Sequence, residues 1–267
     1  MTLKVIIVGA GIAGLCASVA LRSAGLDVEV FEKSAFATEV GAALSVTPNG
    51  ARALASLGFS FERARACKLE TWNSLAGRDL ECVRKIDLSA SEKTFGAAAW
   101  TVHRVDLHSE LLHLATNVGS QGSKPVTLRL NAHVVDSDTQ GAVVLSDGSK
   151  HFADLVIAAD GVHSVLRGKV TSNDATPRET GMSAFRFLID TPVLKRQLHL
   201  AKTLERKGPT DAAILIDFED KIHERHMVWY PCRNLDFGKR IDVRLGQKIA
   251  MLDEFGHFDP GVVQTIK

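Results

Sequence analysis

No stretch of this chain reaches the roughly 18 consecutive apolar residues that a membrane-spanning helix needs, so a membrane partner is not expected. Charge of one sign is not in excess either: 32 Lys and Arg stand against 31 Asp and Glu, a net +1. That balance gives no basis for a nucleic-acid or anionic-surface partner. Cysteine is sparse. Cys16, Cys67, Cys82 and Cys232 are scattered, with no C-x-x-C pair, which argues against a disulfide frame and a zinc site. The histidines have no ligand-like spacing, so no metal is expected. The N-terminus shows no signal-peptide cleavage pattern, and free thiols suit a reducing compartment, so the expected location is the cytoplasm. There is a single tyrosine, no internal repeat, and no Gly-Asp dipeptide anywhere.

Against those absences stands one dense motif at the start. Lys4 to Val8 is a short β-branched apolar run, the pattern of a buried strand. Good helix formers follow from Ile12 to Ala24, with Gly25 as a stop. Asp27 to Phe31 reads as a second buried strand. This is a β-α-β unit in about thirty residues. Its turn carries Gly9, Gly11 and Gly14 as G-x-G-x-x-G. Gly9 allows the tight turn, Gly11 lets backbone approach a pyrophosphate, and Gly14 lets the helix pack on the strand. The helix N-terminus supplies unpaired N–H groups to phosphates. Glu32, closing the second strand, is placed to accept hydrogen bonds from a ribose. The alternative is a glycine-rich turn beside a solvent-exposed glutamate.

Further along, helices are predicted over Pro48 to Leu57 and Arg104 to Thr116, the latter with Leu107, Leu111 and Leu114 on one face. Short strands are predicted from Val126 to Asp147, with "SDGS" as a hairpin turn. "DLVIAADG" (Asp154 to Gly161) reads as a buried strand ending in a polar turn. Beyond Gly181 the texture changes to sheet in "AAILIDF" and "HMVWYP", with helices near Lys195 and Gln247. The domain boundary is placed there: residues 1–181 form one domain, with an excursion near 68–100 toward the other side, and 182–267 a second.

The fingerprint alone does not separate NAD from FAD. "GAALSVTPNGARALASLG" (Gly41 to Gly58), "HRVDLHSELL" (His103 to Leu112) and "ADLVIAADGVHSVLR" (Ala153 to Arg167) follow it in order. Together these segments resemble the single-component FAD-dependent aromatic hydroxylases, nearest to the salicylate-hydroxylase-like branch common in fungal secondary metabolism. The resemblance implies an α/β fold, with a Rossmann-like FAD-binding domain and a mixed-sheet substrate domain. It implies FAD as cofactor, NAD(P)H as transient reductant, and an aromatic small molecule as the substrate that receives one oxygen atom.

By the same resemblance Arg104 contacts the FAD phosphate or ribityl region. A cation at a helix start is poorly placed for the dipole, so an anionic ligand would account for it; the alternative is a surface arginine. Asp160 would lie beside the flavin phosphates, with an N-cap before a "GVHS" helix as a reading that can hold at once. The turn after it and Arg167 are tied to FAD and NADPH binding. Within "SAFRFLI" (Ser183 to Ile189), the resemblance assigns Arg186 to a substrate-side strand, binding a phenolate; an outward, solvated arginine is the other reading. Within "MVWYPCR", Tyr230 could hydrogen-bond a substrate phenol or simply pack half-buried against the sheet.

The family continues into a strand followed by G-D-A-A-H-P, which this sequence lacks. The expectation is therefore a chain without the C-terminal part of the family fold, with weakened FAD binding and poor hydroxylation on its own. Three readings remain open: a monooxygenase or truncated form of one; a non-redox cyclase, isomerase or small-molecule binding protein on the same scaffold; and a chain completed by a second chain or a homo-oligomer.

Overall fold

The computed structural model describes residues 2–35, 43–118, 124–173, 177–186, 188–189, 210–220, 225–233 and 245–266. Its strands are β1 (Lys4–Val8), β2 (Asp27–Phe31), β3 (Ala43–Val46), β4 (Cys67–Leu69), β5 (Thr71–Ala76), β6 (Cys82–Asp87), β7 (Ala99–His103), β8 (Thr127–Arg129), β9 (Val134–Ser137), β10 (Ala142–Leu145), β11 (Lys150–Phe152), β12 (Leu155–Ala158), β13 (Asp211–Ile216) and β14 (His226–Trp229). The helices are α1 (Ile12–Ser23), α2 (Pro48–Ser56), α3 (Ser91–Phe95), α4 (Arg104–Thr116), α5 (Arg167–Thr171), α6 (Leu245–Phe255) and α7 (Pro260–Ile266). The chain divides into two compact units. The first is Met1–Val40, Leu54–Ser60 and Val105–Met182; the second is Gly41–Ala53, Phe61–Arg104 and Ser183–Lys267.

The first unit is built on a parallel sheet of order β12-β1-β2-β8. Val5, Ile6, Ile7 and Val8 are all buried, as expected of a strand covered on both faces. An antiparallel meander, β9-β10-β11, packs on this sheet through Ile6, Val8, Phe31, Val134, Val143, Leu145 and Leu166. The meander's β10–β11 turn is the "SDGS" hairpin: Asp147 accepts the Ser149 N–H, and Gly148 takes φ +85°. β2 also buries a charge. Glu29 is 6% exposed, and it pairs with Lys4 at 3.1 Å and with Arg129. Burial raises the Glu29 carboxyl, but hydrogen bonds from Arg129 and Lys4 outweigh it and hold the pKa below the ordinary value.

The second unit contains a mixed sheet, β14-β13-β5-β6, in which only β13–β5 is parallel, and an antiparallel sheet, β3-β7-β4. α7 seats Val262 and Val263 against Ala213 and Leu215, with Phe258 between.

Three expectations differ from this structure. β12 is not a buried strand: Leu155 is 49% exposed, because β12 stands at the end of the sheet order and pairs only with β1 among the described residues. "GVHS" forms turns, and the helix starts later, at Arg167. The described residues of "SAFRFLI" (183–186, 188 and 189) lie in no strand, so Arg186 is not on a strand face; Phe187 and the predicted helix near Lys195 lie outside the described residues.

Candidate functional site

The fingerprint turn is fixed by two glycines and left open at the third. Gly9 has φ +101°, and a Cβ there would meet the Ala159 carbonyl oxygen at 2.5 Å. Gly14 lies in α1, where a Cβ would meet the Gly9 carbonyl oxygen at 1.9 Å. Both are close-packing glycines that bring β1, α1 and the end of β12 together. Gly11 is different. It has φ −71° and ψ −177°, an extended backbone any residue adopts, and a Cβ there would touch nothing within 4 Å. The space a Gly11 side chain would fill is therefore vacant.

That space lies at the start of α1. Gly11 is its N-cap and offers no side-chain hydrogen bond. The first N–H groups of a helix have no intrahelical partner, so this end presents open donors and the positive end of the dipole. The donor set and the vacancy suit a pyrophosphate.

Glu32 occupies the predicted place at the end of β2, but its carboxylate already has work there. Oε2 accepts the Ala10 N–H and Oε1 accepts the Ser34 N–H, each at 2.8 Å. Each carboxylate oxygen can take a second donor, so a ribose hydroxyl can still be accommodated. The other face of Ala10 is held by a residue that sequence reasoning missed. His108, on α4, places Nε2 2.8 Å from the Ala10 carbonyl oxygen. His108 is 4% exposed and Ala10 fully buried. The helix pattern, with His108 between Leu107 and Leu111 and four residues after Arg104, marks it as inward-facing but carries no sign of the backbone it holds.

Asp160 follows β12. Its Oδ2 accepts the N–H groups of Val165 (2.8 Å) and Leu166 (3.3 Å), closing the turn ahead of α5. This is a capping role one turn away from the expected one. Arg167 donates from Nη2 to the carbonyls of Gly161 and Val162, which ties its guanidinium to the same turn. Gly9, Gly11, Gly14, Glu32 and Asp160 thus all lie in the first unit. Arg104, the first residue of α4, falls in the second.

The two residues expected on the substrate side, Arg186 and Tyr230, also belong to the second unit. Tyr230 lies one residue beyond β14, packed beside the Leu69, Ala99 and Ala212 cluster, and its hydroxyl donates to the Ala43 carbonyl at 2.5 Å. Burial pushes the phenol above its ordinary pKa, Cys232 adds to the rise, and Arg186 pulls the other way. The phenol therefore stays protonated at neutral pH, and its proton is committed to Ala43. Arg186 is exposed and close enough to Tyr230 to act on it electrostatically. Nearby polar contacts run from Thr101 Oγ1 to the Pro231 carbonyl (2.6 Å) and from Arg233 Nη2 to His103 Nδ1 (3.1 Å). Among the described residues no group of His, Cys, Asp or Glu could hold a metal ion, and no helix is long and apolar enough to cross a membrane.

Comparison with known proteins agrees with the glycine turn. The family model described as an FAD binding domain matches residues 2–233. Hispidin-3-hydroxylase of Neonothopanus nambi is 36% identical over 194 residues, covering 72% of this chain and 46% of that protein. The 3-amino-4-hydroxybenzoate 2-monooxygenase of Streptomyces cremeus is 34% identical over 203 residues, covering 72% and 48%. The chain spans about half the length of the curated relatives it matches. Among solved structures, Klebsiella pneumoniae HpxO complexed with FAD and uric acid aligns with a TM-score of 0.66 at 23% identity, over 99% of this chain and 64% of that one. That likeness shows a shared fold.

Proposed function

The chain belongs to the FAD binding domain family, and from that premise we propose that it serves an FAD-dependent, NAD(P)H-using hydroxylase of phenolic or other aromatic small molecules. The observation that carries the reading is the open space at Gly11, which in sequence stands between two glycines that packing requires and which begins a helix with no side-chain cap. Relatives named for hydroxylation of hispidin and of an aminohydroxybenzoate support the substrate class. Relatives in fungi, including an FAD-dependent monooxygenase of Aspergillus candidus, support a place in fungal secondary metabolism.

The chemistry FAD supplies when bound is transfer of one oxygen atom from O2 to an aromatic ring, with NAD(P)H as reductant. The chain's own residues bind and orient. Open amides at the start of α1 hold the pyrophosphate. Glu32 holds the ribose while bracing Ala10. Within the first unit Asp160, which closes the turn after β12, stands on the phosphate side; Arg104 is the further cation that the resemblance assigns to FAD. On the substrate side Arg186 supplies a cation for a phenolate. Tyr230, whose proton is given to Ala43, accepts a hydrogen bond from a substrate hydroxyl. The four cysteines are free thiols, which suits the cytoplasm. Assembly with further copies of the chain is in keeping with a tetrameric relative of the same fold, 2-methyl-3-hydroxypyridine-5-carboxylic acid oxygenase.

The test is a titration of the purified chain with FAD, followed by flavin fluorescence and absorbance. Turnover is then assayed with NADPH, oxygen and a panel of phenols, measuring hydroxylated product against peroxide. Saturable FAD binding that Gly11→Val abolishes supports the reading. A chain that binds no FAD, or binds it equally well with Gly11→Val, removes it.

A further inference from the structure

We propose that His108 is a positioning residue that locks the Ala10–Gly11 peptide so that the Gly11 N–H faces the phosphate side of the turn. The inference rests on the FAD reading for its ligand, but its geometry stands alone. A carbonyl oxygen only accepts, so at 2.8 Å the His108 Nε2 must carry the proton and donate it. The chain has no cis peptide bond among its described residues. In a planar trans peptide the C=O and the following N–H point in opposite directions. With the Ala10 carbonyl turned inward to His108, the Gly11 N–H is turned outward. It has no protein partner among the described residues, and it joins the open donors at the start of α1.

The lock is needed because Gly11 makes the opposite arrangement accessible. Flipping the Ala10–Gly11 peptide changes ψ of Ala10 and φ of Gly11 together and leaves Gly11 at positive φ. Most residues resist that; glycine does not. After the flip a carbonyl oxygen would face the pyrophosphate, and an N–H would be buried against α4. The Glu32 bond to the Ala10 N–H acts on the preceding peptide and does not prevent this. His108 does, because the flip would break the hydrogen bond that its buried imidazole donates to the Ala10 carbonyl. Gly11 thus gives the phosphate room, and His108 removes the conformational freedom that comes with the room. The residue type is specific: a donor of this reach on α4 is required, which leucine cannot supply and the amide of glutamine can.

The experiment compares wild type, His108→Leu and His108→Gln. Leucine is bulky enough to keep water out of the vacated site. The Gly11 amide is followed by 15N NMR without ligand, FAD affinity by fluorescence titration, and folding by amide protection of β1 and β2. We expect His108→Leu to shift or split the Gly11 amide resonance and to weaken FAD binding by about tenfold or more, with β1 and β2 protection kept. His108→Gln should restore both. The proposal is overturned if His108→Leu leaves the Gly11 amide as in wild type, or if His108→Gln behaves no better than His108→Leu. Should His108→Leu not fold, His108→Asn, polar but too short to reach Ala10, takes its place with the same expectations. If wild type binds no FAD, the functional reading fails, and the Gly11 resonance alone decides the lock.

Discussion

The three fingerprint glycines should separate folding from binding when each is replaced by alanine. At Gly14 alanine is the better helix former by about 1 kcal/mol. Its Cβ would nevertheless stand 1.9 Å from the Gly9 carbonyl oxygen, where no contact under 3.0 Å is tolerated. That oxygen belongs to the turn between β1 and α1 and cannot swing aside like a side chain. Overpacking costs about 1–3 kcal/mol and sometimes more; against backbone this close the cost lies at the upper end, about 3 kcal/mol or more, and with the helix gain subtracted Gly14→Ala should lose about 2 kcal/mol or more net. At Gly9 alanine meets the Ala159 carbonyl oxygen at 2.5 Å and must also hold φ +101°. The strained backbone adds about 1–3 kcal/mol, making Gly9→Ala the most damaging, at about 3–5 kcal/mol. At Gly11 alanine meets nothing within 4 Å and keeps an ordinary φ. The reduced freedom of the unfolded chain offsets the poorer N-cap, leaving stability within about 0.5 kcal/mol of wild type. Its methyl group instead enters the phosphate space. Urea midpoints and FAD titrations on all three variants decide the matter. Gly11→Ala should unfold like wild type and bind FAD at least about tenfold more weakly, a loss of about 1.4 kcal/mol. A Gly11→Ala variant as unstable as Gly14→Ala, or one with unchanged FAD affinity, would refute the division of labour.

Glu32→Ala removes the proposed ribose acceptor together with the carboxylate that accepts the Ala10 and Ser34 N–H groups, so FAD affinity should fall by about 1–3 kcal/mol; unchanged affinity by titration rules out the ribose assignment. Glu29 has a lowered carboxyl pKa in the fold, so its stabilisation is present above the unfolded value and is lost as pH falls through the folded one. Glu29→Gln should therefore be less stable by about 1–3 kcal/mol at pH 7, and the gap should close below about pH 4; a gap constant from pH 7 to pH 3 in urea titrations contradicts this. Tyr230→Phe should cost about 1 kcal/mol through the lost bond to Ala43, read as a drop in thermal midpoint, and a midpoint unmoved in that variant means the hydroxyl contributes nothing to folding.

The β1-α1-β2 unit was legible because its signals are local. β-branched residues, helix formers and glycines lie within thirty residues, and β1 and β2 occur as predicted at Lys4–Val8 and Asp27–Phe31. α4 begins and ends where its leucine spacing placed it. β12 was legible as a strand but not as an exposed one, since an apolar run reads the same at the end of a sheet as in its middle. His108 stayed hidden for a related reason: a histidine among leucines looks the same whether it fills space or grips a backbone 98 residues away.

By itself, then, the amino-acid order determined the nucleotide turn, because G-x-G-x-x-G between a strand and a helix constrains backbone shape over a few residues. Only the tertiary structure decided what each of its members does. Whether a glycine is needed for packing or for a ligand depends on what stands opposite its missing Cβ. Opposite Gly9 it is the Ala159 carbonyl just past β12, more than 140 residues later; opposite Gly14 it is the Gly9 carbonyl; opposite Gly11 it is nothing within 4 Å. Likewise the orientation of the Ala10 peptide is set by Glu32 from β2 and His108 from α4, two elements that meet the turn only once the chain has folded.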